Sequence, residues 1–277
     1  MKTVTLPSEK RVSALGLGTW HLGENPAIRA EEIATLRLGL DLGSTLIDTA
    51  EMYGEGRSEE LVAEAIEGRR DEVFLVSKVS PHNASRRGAV AACERSLARL
   101  RTDHIDLYLL HWRGNLPFAE TLEAFVALQK AGKIHHFGVS NLDLEDMQEL
   151  ESVHGGPAVA TNQLLYNLAR RGIEWDLLPW LRKRRIPIMA YSPIEQAKLT
   201  LNPKLVDFAR RHGMTAAQVG LAWLMVHDDV IVIPKTGRRD RLQENLSAFD
   251  HRLTQTQLAE LDRLFPPPMG PSPLEML

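Results

Sequence analysis

The sequence has few cysteines, no long apolar run and little net charge, and each of these absences argues against a class of protein. Its single cysteine, Cys93, excludes an internal disulfide and a CxxC metal site. No apolar run reaches the ~18 residues of a membrane-spanning helix, and Met1–Lys10 has no apolar signal-peptide core. The net charge of −3 argues against a nucleic acid or an anionic membrane as partner. We therefore expect a soluble protein of the cytoplasm.

The composition is that of an ordinary globular protein, with 44% apolar and 25% charged residues. A chain of 277 residues can build a core large enough to enclose a deep site. We find no linker and no low-complexity block, so residues 1–277 are predicted to form a single domain. Cys93 recurs at helical spacing with Val90, Leu97 and Leu100, which predicts a core position rather than a reactive thiol.

Short apolar runs alternate with longer segments of helical periodicity, which predicts a parallel sheet. The predicted strands are Leu15–Gly18, Leu46–Asp48, Val73–Ser77, Ile105–Leu110, His135–Val139, Val159–Asn162, Pro187–Tyr191 and Val230–Ile233. The predicted helices are Glu31–Leu42, Arg87–Leu100, Thr121–Lys130, Leu144–Leu150, Leu177–Arg184, Thr215–His227, Leu242–Leu246 and Thr254–Leu264. Near the start, Val4–Leu6 and Lys10–Val12 flank a turn and predict a hairpin that plugs one end of the sheet.

Polar residues follow the apolar runs at regular intervals. Positions 48, 78, 111, 140, 163 and 191 are separated by 30, 33, 29, 23 and 28 residues, each of which suits one strand–helix unit. Eight such units predict a TIM (β/α)8 barrel, with extra helices at the C-terminal end. A doubly wound sheet is the alternative, although it would need fewer strands and a reversal of strand order.

Three of these polar residues are chemically versatile. Asp48, Lys78 and His111 each follow an apolar strand, and a barrel brings the C-terminal ends of its strands to one mouth. Taken singly, each is equally well a solvated strand end. Tyr53 lies five residues after Asp48, on a short loop with Gly54 and Gly56.

Eight short motifs in this order resemble the aldo-keto reductases over nearly the whole chain. They are Gly18–Trp20, Asp48–Ala50, Tyr53-Gly54, Val76–Lys78, Leu110–Trp112, Gly138–Asn141, Tyr191–Pro193 and Ile233–Thr236. Because they fall in order at predicted strand ends, together they are far more specific than any single tripeptide.

The resemblance implies reduction of carbonyl groups, and the residues suit that chemistry. Tyr53 would donate the proton, and Lys78 would lower its pKa from the ordinary ~10. Asp48 would hold Lys78, and His111 would orient the substrate oxygen. Some relatives that reduce C=C bonds carry glutamate at the place of His111, so this histidine favours carbonyl substrates.

The hydride donor implied by the resemblance is NADPH, lying extended across the barrel mouth. The pair Gly16 and Gly18 is not a dinucleotide-binding fingerprint, because no third glycine follows at the required spacing. Instead, Ser140, Asn141 and Gln163 would bind the carboxamide, and Tyr191 would stack on the nicotinamide ring. The resemblance also implies that Ser192, Pro193, Ile194 and Gln196 pass over the pyrophosphate. Further cofactor contacts would come from Gly18, Thr19 and Trp20.

A basic segment after the last strand would bind the 2′-phosphate and makes NADPH preferable to NADH. Its residues are Lys235, Thr236, Gly237, Arg238 and Arg241, with Glu244 and Asn245 expected at the adenine. Taken alone, this segment would be read as a solvated basic loop.

Trp20 and Trp112 are predicted to line the substrate pocket together with Tyr53. The loop after His111 ends by Pro117 and the tail after Phe265 is short, so we expect an open pocket for small or varied aldehydes. In its overall sequence, the chain resembles the short bacterial members of the family, some of which reduce 2-oxoaldehydes such as methylglyoxal. We expect a monomer.

Two other functions stay open. One is a regulatory protein that retains NADPH and turns over very slowly. The other is a barrel isomerase or lyase in which Lys78 forms a Schiff base. No metal site is predicted, because His135 and His136 are adjacent and must point to opposite faces of a strand.

Overall fold

A hairpin opens the chain in the computed structural model, which describes residues 2–277. Strands β1 (Thr3–Thr5) and β2 (Arg11–Ser13) pair antiparallel. Val4 of this hairpin is buried in one cluster with Leu46, Val76 and Leu107 of the main sheet. The hairpin therefore plugs the end of the sheet where the strands begin, as predicted.

Eight parallel strands follow, in the order of the chain around the sheet. They are β3 (Leu17–Gly18), β4 (Leu46–Asp48), β5 (Phe74–Val79), β6 (Ile105–Leu110), β7 (Ile134–Ser140), β8 (Asn162–Leu165), β9 (Ile188–Tyr191) and β10 (Val230–Val232). Parallel bridges from Leu15 to Val232 and from Gly18 to Lys235 join the first strand to the last. These bridges close the sheet into the predicted TIM barrel.

Helices cover the outside of the barrel. They are α1 (Arg29–Asp41), α2 (Arg57–Ala65), α3 (Arg86–Leu100), α4 (Phe118–Lys130), α5 (Leu144–Ser152), α6 (Leu177–Lys183), α7 (Pro203–Arg211), α8 (Ala216–Met225), α9 (Arg239–Ser247) and α10 (Gln255–Leu264). Helix α10 begins at a capping box in which Thr254 and Gln257 bond to each other's backbone. It is the predicted helix that follows the barrel.

Three elements differ from the sequence prediction, and one of them is helix α7, which has no counterpart among the predicted helices. Helix α2 was not predicted, because it follows directly on the glycine loop of Tyr53 and spans only nine residues, too few for a clear helical period. Strand β8 lies three residues later than predicted, because a 3-10 turn at Gly156–Ala158 precedes its extended segment.

The core has an inner cluster within the barrel and an outer cluster between barrel and helices. Cys93 belongs to the outer cluster, and burial raises the pKa of its thiol to about 12, so this side chain is an inert packing group. Within residues 2–277, no helix has the length and apolar character needed to cross a membrane.

Candidate active site

Asp48, Lys78 and His111 lie at the C-terminal ends of neighbouring strands, as the intervals predicted. Asp48 ends β4, Lys78 is the penultimate residue of β5, and His111 follows β6. Tyr53 hangs on the loop after β4, where Gly54 and Glu55 both have φ near +57°, at 56° and 58°. That backbone conformation suits glycine, and it turns the chain sharply enough to return Tyr53 to the mouth.

Lys78 is the centre of this group. Its ammonium donates to Asp48 Oδ2 at 2.8 Å, to the backbone oxygen of Thr49 at 2.8 Å and to the Tyr53 hydroxyl at 3.2 Å. The side chain is wholly buried, and that of Asp48 is 3% exposed. All three ammonium protons therefore have acceptors, which fixes the cation directly beside the phenol.

The pKa values of this pair follow from competing effects. Burial raises the pKa of Tyr53, and the Lys78 cation offsets this only in part. The pKa of Lys78 would be lowered by burial, but Asp48 and Tyr53 together outweigh that effect and raise it. As expected, Lys78 lowers the pKa of Tyr53. Burial raises that pKa by more, so the net shift is upward.

His111 is held as a neutral imidazole. Burial lowers its pKa to about 2, with a smaller contribution from the Lys78 cation. Its ring lies edge-on to that of Tyr53, with centroids 5.8 Å apart. The buried Nδ1 has no hydrogen-bond partner among the described residues. The tautomer with its proton on Nε2 avoids burying an unpaired N–H group, and it offers a neutral donor to a ligand in the mouth.

A buried ion pair supports the site from below. Glu59 on α2 accepts from Arg99 at 2.6 Å and from the Ser77 hydroxyl at 2.6 Å, so it links α3 to the residue before Lys78. Gly56 lies against Arg99, and a Cβ there would stand 2.6 Å from the arginine Cδ. Neither Glu59 nor Arg99 was predicted, because their partners are distant in sequence.

The predicted carboxamide contacts lie side by side on β7 and β8, where Ser140, the last residue of β7, pairs with Gln163, the second residue of β8. Gln163 donates to Asp48 Oδ1 at 2.8 Å, which joins these contacts to the Lys78 group. Asn141, with φ at +54°, accepts from the Tyr191 hydroxyl at 2.9 Å. Its amide donates to the Ser140 hydroxyl at 3.1 Å. The Ser140 hydroxyl donates to the backbone oxygen of Gln163 at 2.9 Å, so one polar network runs from Lys78 to Tyr191.

The segment after β9 has a strained backbone. Ser192, Glu195, Gln196 and Ala197 all have positive φ, a costly conformation for residues with a side chain. Glu195 is buried there and accepts from Arg170 and Asn167 at 2.8–2.9 Å. This buried ion pair holds the segment that includes the predicted contacts Ser192, Pro193, Ile194 and Gln196.

The basic segment lies between β10 and α9. Helix α9 begins at Arg239, and its N-cap residue Arg238 makes no side-chain cap hydrogen bond, so the first amide N–H groups suit an anion. Arg241 has no side-chain partner among the described residues, whereas Arg238 pairs with Asp240 and Arg239 with Glu31. Lys235, Thr236 and Gly237 lie in the turn that precedes this helix, whereas Glu244 and the buried Asn245 lie further along α9.

A sequence model described as the aldo/keto reductase family matches residues 14–265. The chain belongs to the aldo/keto reductase family. Over its full length it is 47% identical to methylglyoxal reductase YeaE of Escherichia coli, of which it covers 99%. Two structures of aldo-keto reductases from Klebsiella pneumoniae, one with NADP and acetate and one with NADPH, are 49% identical to it. Each superposes with a TM-score of 0.97 and is covered to 99%, with all of this chain included.

The rim of this aldo/keto reductase site carries the two predicted pocket tryptophans. Trp112 lies next to His111, with ring centroids 4.8 Å apart. Trp20 is 41% exposed, and its ring contact is with His21 at 4.0 Å. Thr19 instead points inward, where its hydroxyl donates to the backbone oxygen of Asp48.

The tail returns to the mouth, which the sequence did not reveal. Glu275 pairs with Arg170 at 2.5 Å, and the amide of Leu277 donates to the Tyr191 hydroxyl at 3.4 Å. A Cβ on Gly172 would stand 2.6 Å from the Ser272 hydroxyl oxygen, so the tail packs closely on the chain. The tail covers one side of the mouth that was expected to be open.

Proposed function

We propose that this protein reduces aldehydes and ketones to alcohols with NADPH, and that Tyr53 supplies the proton. The observation that carries the proposal is the chain of buried contacts in which Asp48 holds Lys78 and Lys78 holds the Tyr53 hydroxyl at 3.2 Å. Such an arrangement favours a phenol that gives up its proton at the moment when charge develops on a substrate oxygen.

When bound, NADPH supplies the hydride. The substrate oxygen gains negative charge as the carbonyl is reduced, and it takes the proton from Tyr53. The Lys78 cation then stabilises the phenolate, and Asp48 keeps that cation in place. Because burial raises the pKa of Tyr53, the phenol stays protonated until the substrate arrives. Neutral His111 donates a hydrogen bond to the same substrate oxygen and orients it.

The residues present suit NADPH. Gln163 uses its amide nitrogen on Asp48, which leaves its carbonyl oxygen for the carboxamide group, and the partly buried ring of Tyr191 offers a stacking face. Arg241 and Lys235, beside the uncapped start of α9, suit a 2′-phosphate. The complexes of the Klebsiella enzymes with NADP and NADPH support the same choice.

We further propose small carbonyl compounds, including 2-oxoaldehydes such as methylglyoxal, as substrates. The tryptophan beside His111 and the tail beside Tyr191 leave a mouth suited to a small molecule. The name of the Escherichia coli relative and the acetate bound with NADP in a Klebsiella structure support this size class. Action as a monomer in the cytoplasm remains a prediction.

Schiff-base chemistry is disfavoured by the site. A nucleophilic lysine must be neutral, but the pKa of Lys78 is raised by its partners Asp48 and Tyr53 despite burial. A regulatory protein with slow turnover would differ from the proposed reductase only in rate.

Oxidation of NADPH, followed with methylglyoxal and a series of other aldehydes, tests the proposal. We expect steady turnover by the wild type and a fall of about 100- to 10,000-fold in Tyr53→Phe, with NADPH binding retained. Unchanged turnover in Tyr53→Phe would refute the mechanism, and very slow turnover with tightly retained NADPH would favour the regulatory function.

A further inference from the structure

A cluster of two histidines and an aspartate lies at the opposite end of the barrel from Tyr53. His104 precedes β6, Asp106 is the second residue of β6, and His135 is the second residue of β7. In the pairing of these strands, Ile105 is opposite Ile134 and Leu107 is opposite His136, so Asp106 and His135 are neighbours. One ligand atom from each of the three lies within 4.8 Å of the other two.

The two carboxylate oxygens of Asp106 have different surroundings. Its Oδ2 accepts from Arg70 at 2.7 Å and from the Leu75 amide at 2.9 Å. Its Oδ1 faces His135 Nδ1 at 3.5 Å, which is too long for a good hydrogen bond. The structure thus anchors one oxygen firmly and leaves the other as a free acceptor toward the imidazoles.

A carboxylate holds one of the two imidazoles. His104 Nδ1 is 2.7 Å from the Asp103 carboxylate, so a neutral ring donates there and keeps the lone pair of Nε2 for a ligand. A carboxylate behind a histidine is the arrangement that orients this side chain in metal sites. The rings of His104 and His135 stack with centroids 4.4 Å apart, so the two imidazoles lie side by side.

We propose that His104, Asp106 and His135 bind a divalent transition-metal ion of the zinc class. Bonds of ~2.0–2.2 Å to such an ion require the ligand atoms to lie about 3.4 Å apart, so separations that now reach up to 4.8 Å must shrink by up to about 1.4 Å. His104 and His135 are 23% and 50% exposed and can move, while Asp106 stays fixed. Two imidazoles select zinc, nickel or copper over calcium or magnesium, and Arg70 on Oδ2 disfavours a hard cation further.

The bound ion would join the starts of β6 and β7, and it would leave one coordination position to water. Because Asp48, Tyr53, Lys78 and His111 lie at the opposite end of the barrel, the ion would stabilise the barrel without taking part in reduction. This inference is independent of the proposed function.

Titration of chelator-treated protein with Zn²⁺ by calorimetry, and with Co²⁺ by visible absorption, tests the site. We expect one Zn²⁺ per chain, a Co²⁺ spectrum of four-coordinate geometry and a higher Tm with metal. Asp103→Asn should weaken binding by about 10–100-fold, and His104→Gln and His135→Gln should weaken it further. His136→Gln is the matched control, since His136 stacks on Phe74 instead, and it should bind as the wild type does.

Three results would overturn the proposal. The first is the absence of Zn²⁺ and Co²⁺ binding by the wild type at micromolar concentration. The second is unchanged binding in the folded double variant His104→Gln/His135→Gln. The third is loss of reductase activity in proportion to bound zinc, which would place the ion in the barrel mouth. Circular dichroism of each variant distinguishes loss of ligand from loss of fold.

Discussion

Gln163 donates a hydrogen bond of 2.8 Å to Oδ1 of Asp48. Because Lys78 takes the other oxygen at 2.8 Å, the carboxylate accepts from a buried donor on each side. Asp48 therefore joins the residues proposed for proton transfer to those proposed for the cofactor. Loss of either carboxylate oxygen leaves one of these two buried donors without this acceptor.

We expect Asp48→Asn to lose both activity and stability. An asparagine amide removes the negative charge beside buried Lys78, and breaking a buried ion pair costs about 3–5 kcal/mol. Urea unfolding and the kcat of carbonyl reduction measure the two effects. The matched control is Asp41→Asn, which removes an exposed partner of Arg69 and should cost less than about 1 kcal/mol. Equal losses in the two variants would contradict this account of Asp48.

The sequence was sufficient to predict the site residues that lie at the C-terminal ends of strands. The runs Leu46–Asp48 and Leu107–His111 pass from apolar to polar at the point where a barrel strand meets the mouth, and a repeat of about 30 residues set the number of strands. Since a TIM barrel brings all such ends together, the convergence of Asp48, Lys78 and His111 could be predicted before any contact was seen. The exact bounds of β8 could not, because extended residues look alike on either side of a strand boundary.

Contacts between distant residues were not predictable. Gln163 and Asp48 are 115 positions apart, and nothing in either segment indicates the other. The third acceptor of Lys78 is the backbone oxygen of Thr49, and a backbone group leaves no signal in the choice of residue. The upward net pKa shift of Tyr53 depends on burial, which only the packed structure reveals.

We expect Arg241→Ala to weaken NADPH much more than NADH. Arg241 has no side-chain partner in residues 2–277 and lies in the first turn of α9, so it can bind the 2′-phosphate that NADH lacks. Loss of one charged hydrogen bond of about 1.5–3 kcal/mol corresponds to about 10- to 150-fold in Kd. Quenching of protein fluorescence by each cofactor measures the two constants.

Arg239→Ala is the control for that experiment. Arg239 is two positions away on the same helix, but its guanidinium is paired with Glu31 at 2.9 and 3.0 Å. The ratio of the two cofactor affinities should stay close to that of the wild type. An equal loss of NADPH and NADH in Arg241→Ala would refute a 2′-phosphate contact.

We expect Arg170→Met to speed the release of NADPH. The change leaves buried Glu195 with only Asn167 as a side-chain partner, and an underpaired buried group costs about 1–3 kcal/mol. The strained segment of Ser192 and Gln196 should then become mobile, and the tail should lose its contact through Glu275. Stopped-flow displacement of NADPH gives the release rate. Arg184→Met, which removes a surface pair with Glu151, should leave that rate unaltered.

The rate of reduction should not depend on ionisation of His111 or Tyr53 near neutral pH. The pKa of His111 is lowered to about 2, and that of Tyr53 is raised, so neither group titrates between pH 5 and 8. The kcat of the chemical step should therefore show no inflection from either residue in this range. An inflection near pH 6.5 that disappears in His111→Asn would contradict the neutral imidazole.

The lowered pKa of His111 also makes the free energy of unfolding depend on pH. An unfolded histidine binds a proton near pH ~6.5, whereas folded His111 stays neutral down to about 2. The contribution of neutral, buried His111 to the free energy of unfolding is therefore fully present above pH ~6.5. It is lost progressively as the pH falls toward the pKa of the folded state. Below pH ~6, the wild type should lose up to about 1.4 kcal/mol more per pH unit than His111→Asn. Free energies of unfolding in urea at several pH values test this, and parallel curves for the two proteins would rule out the proposed burial of a neutral His111.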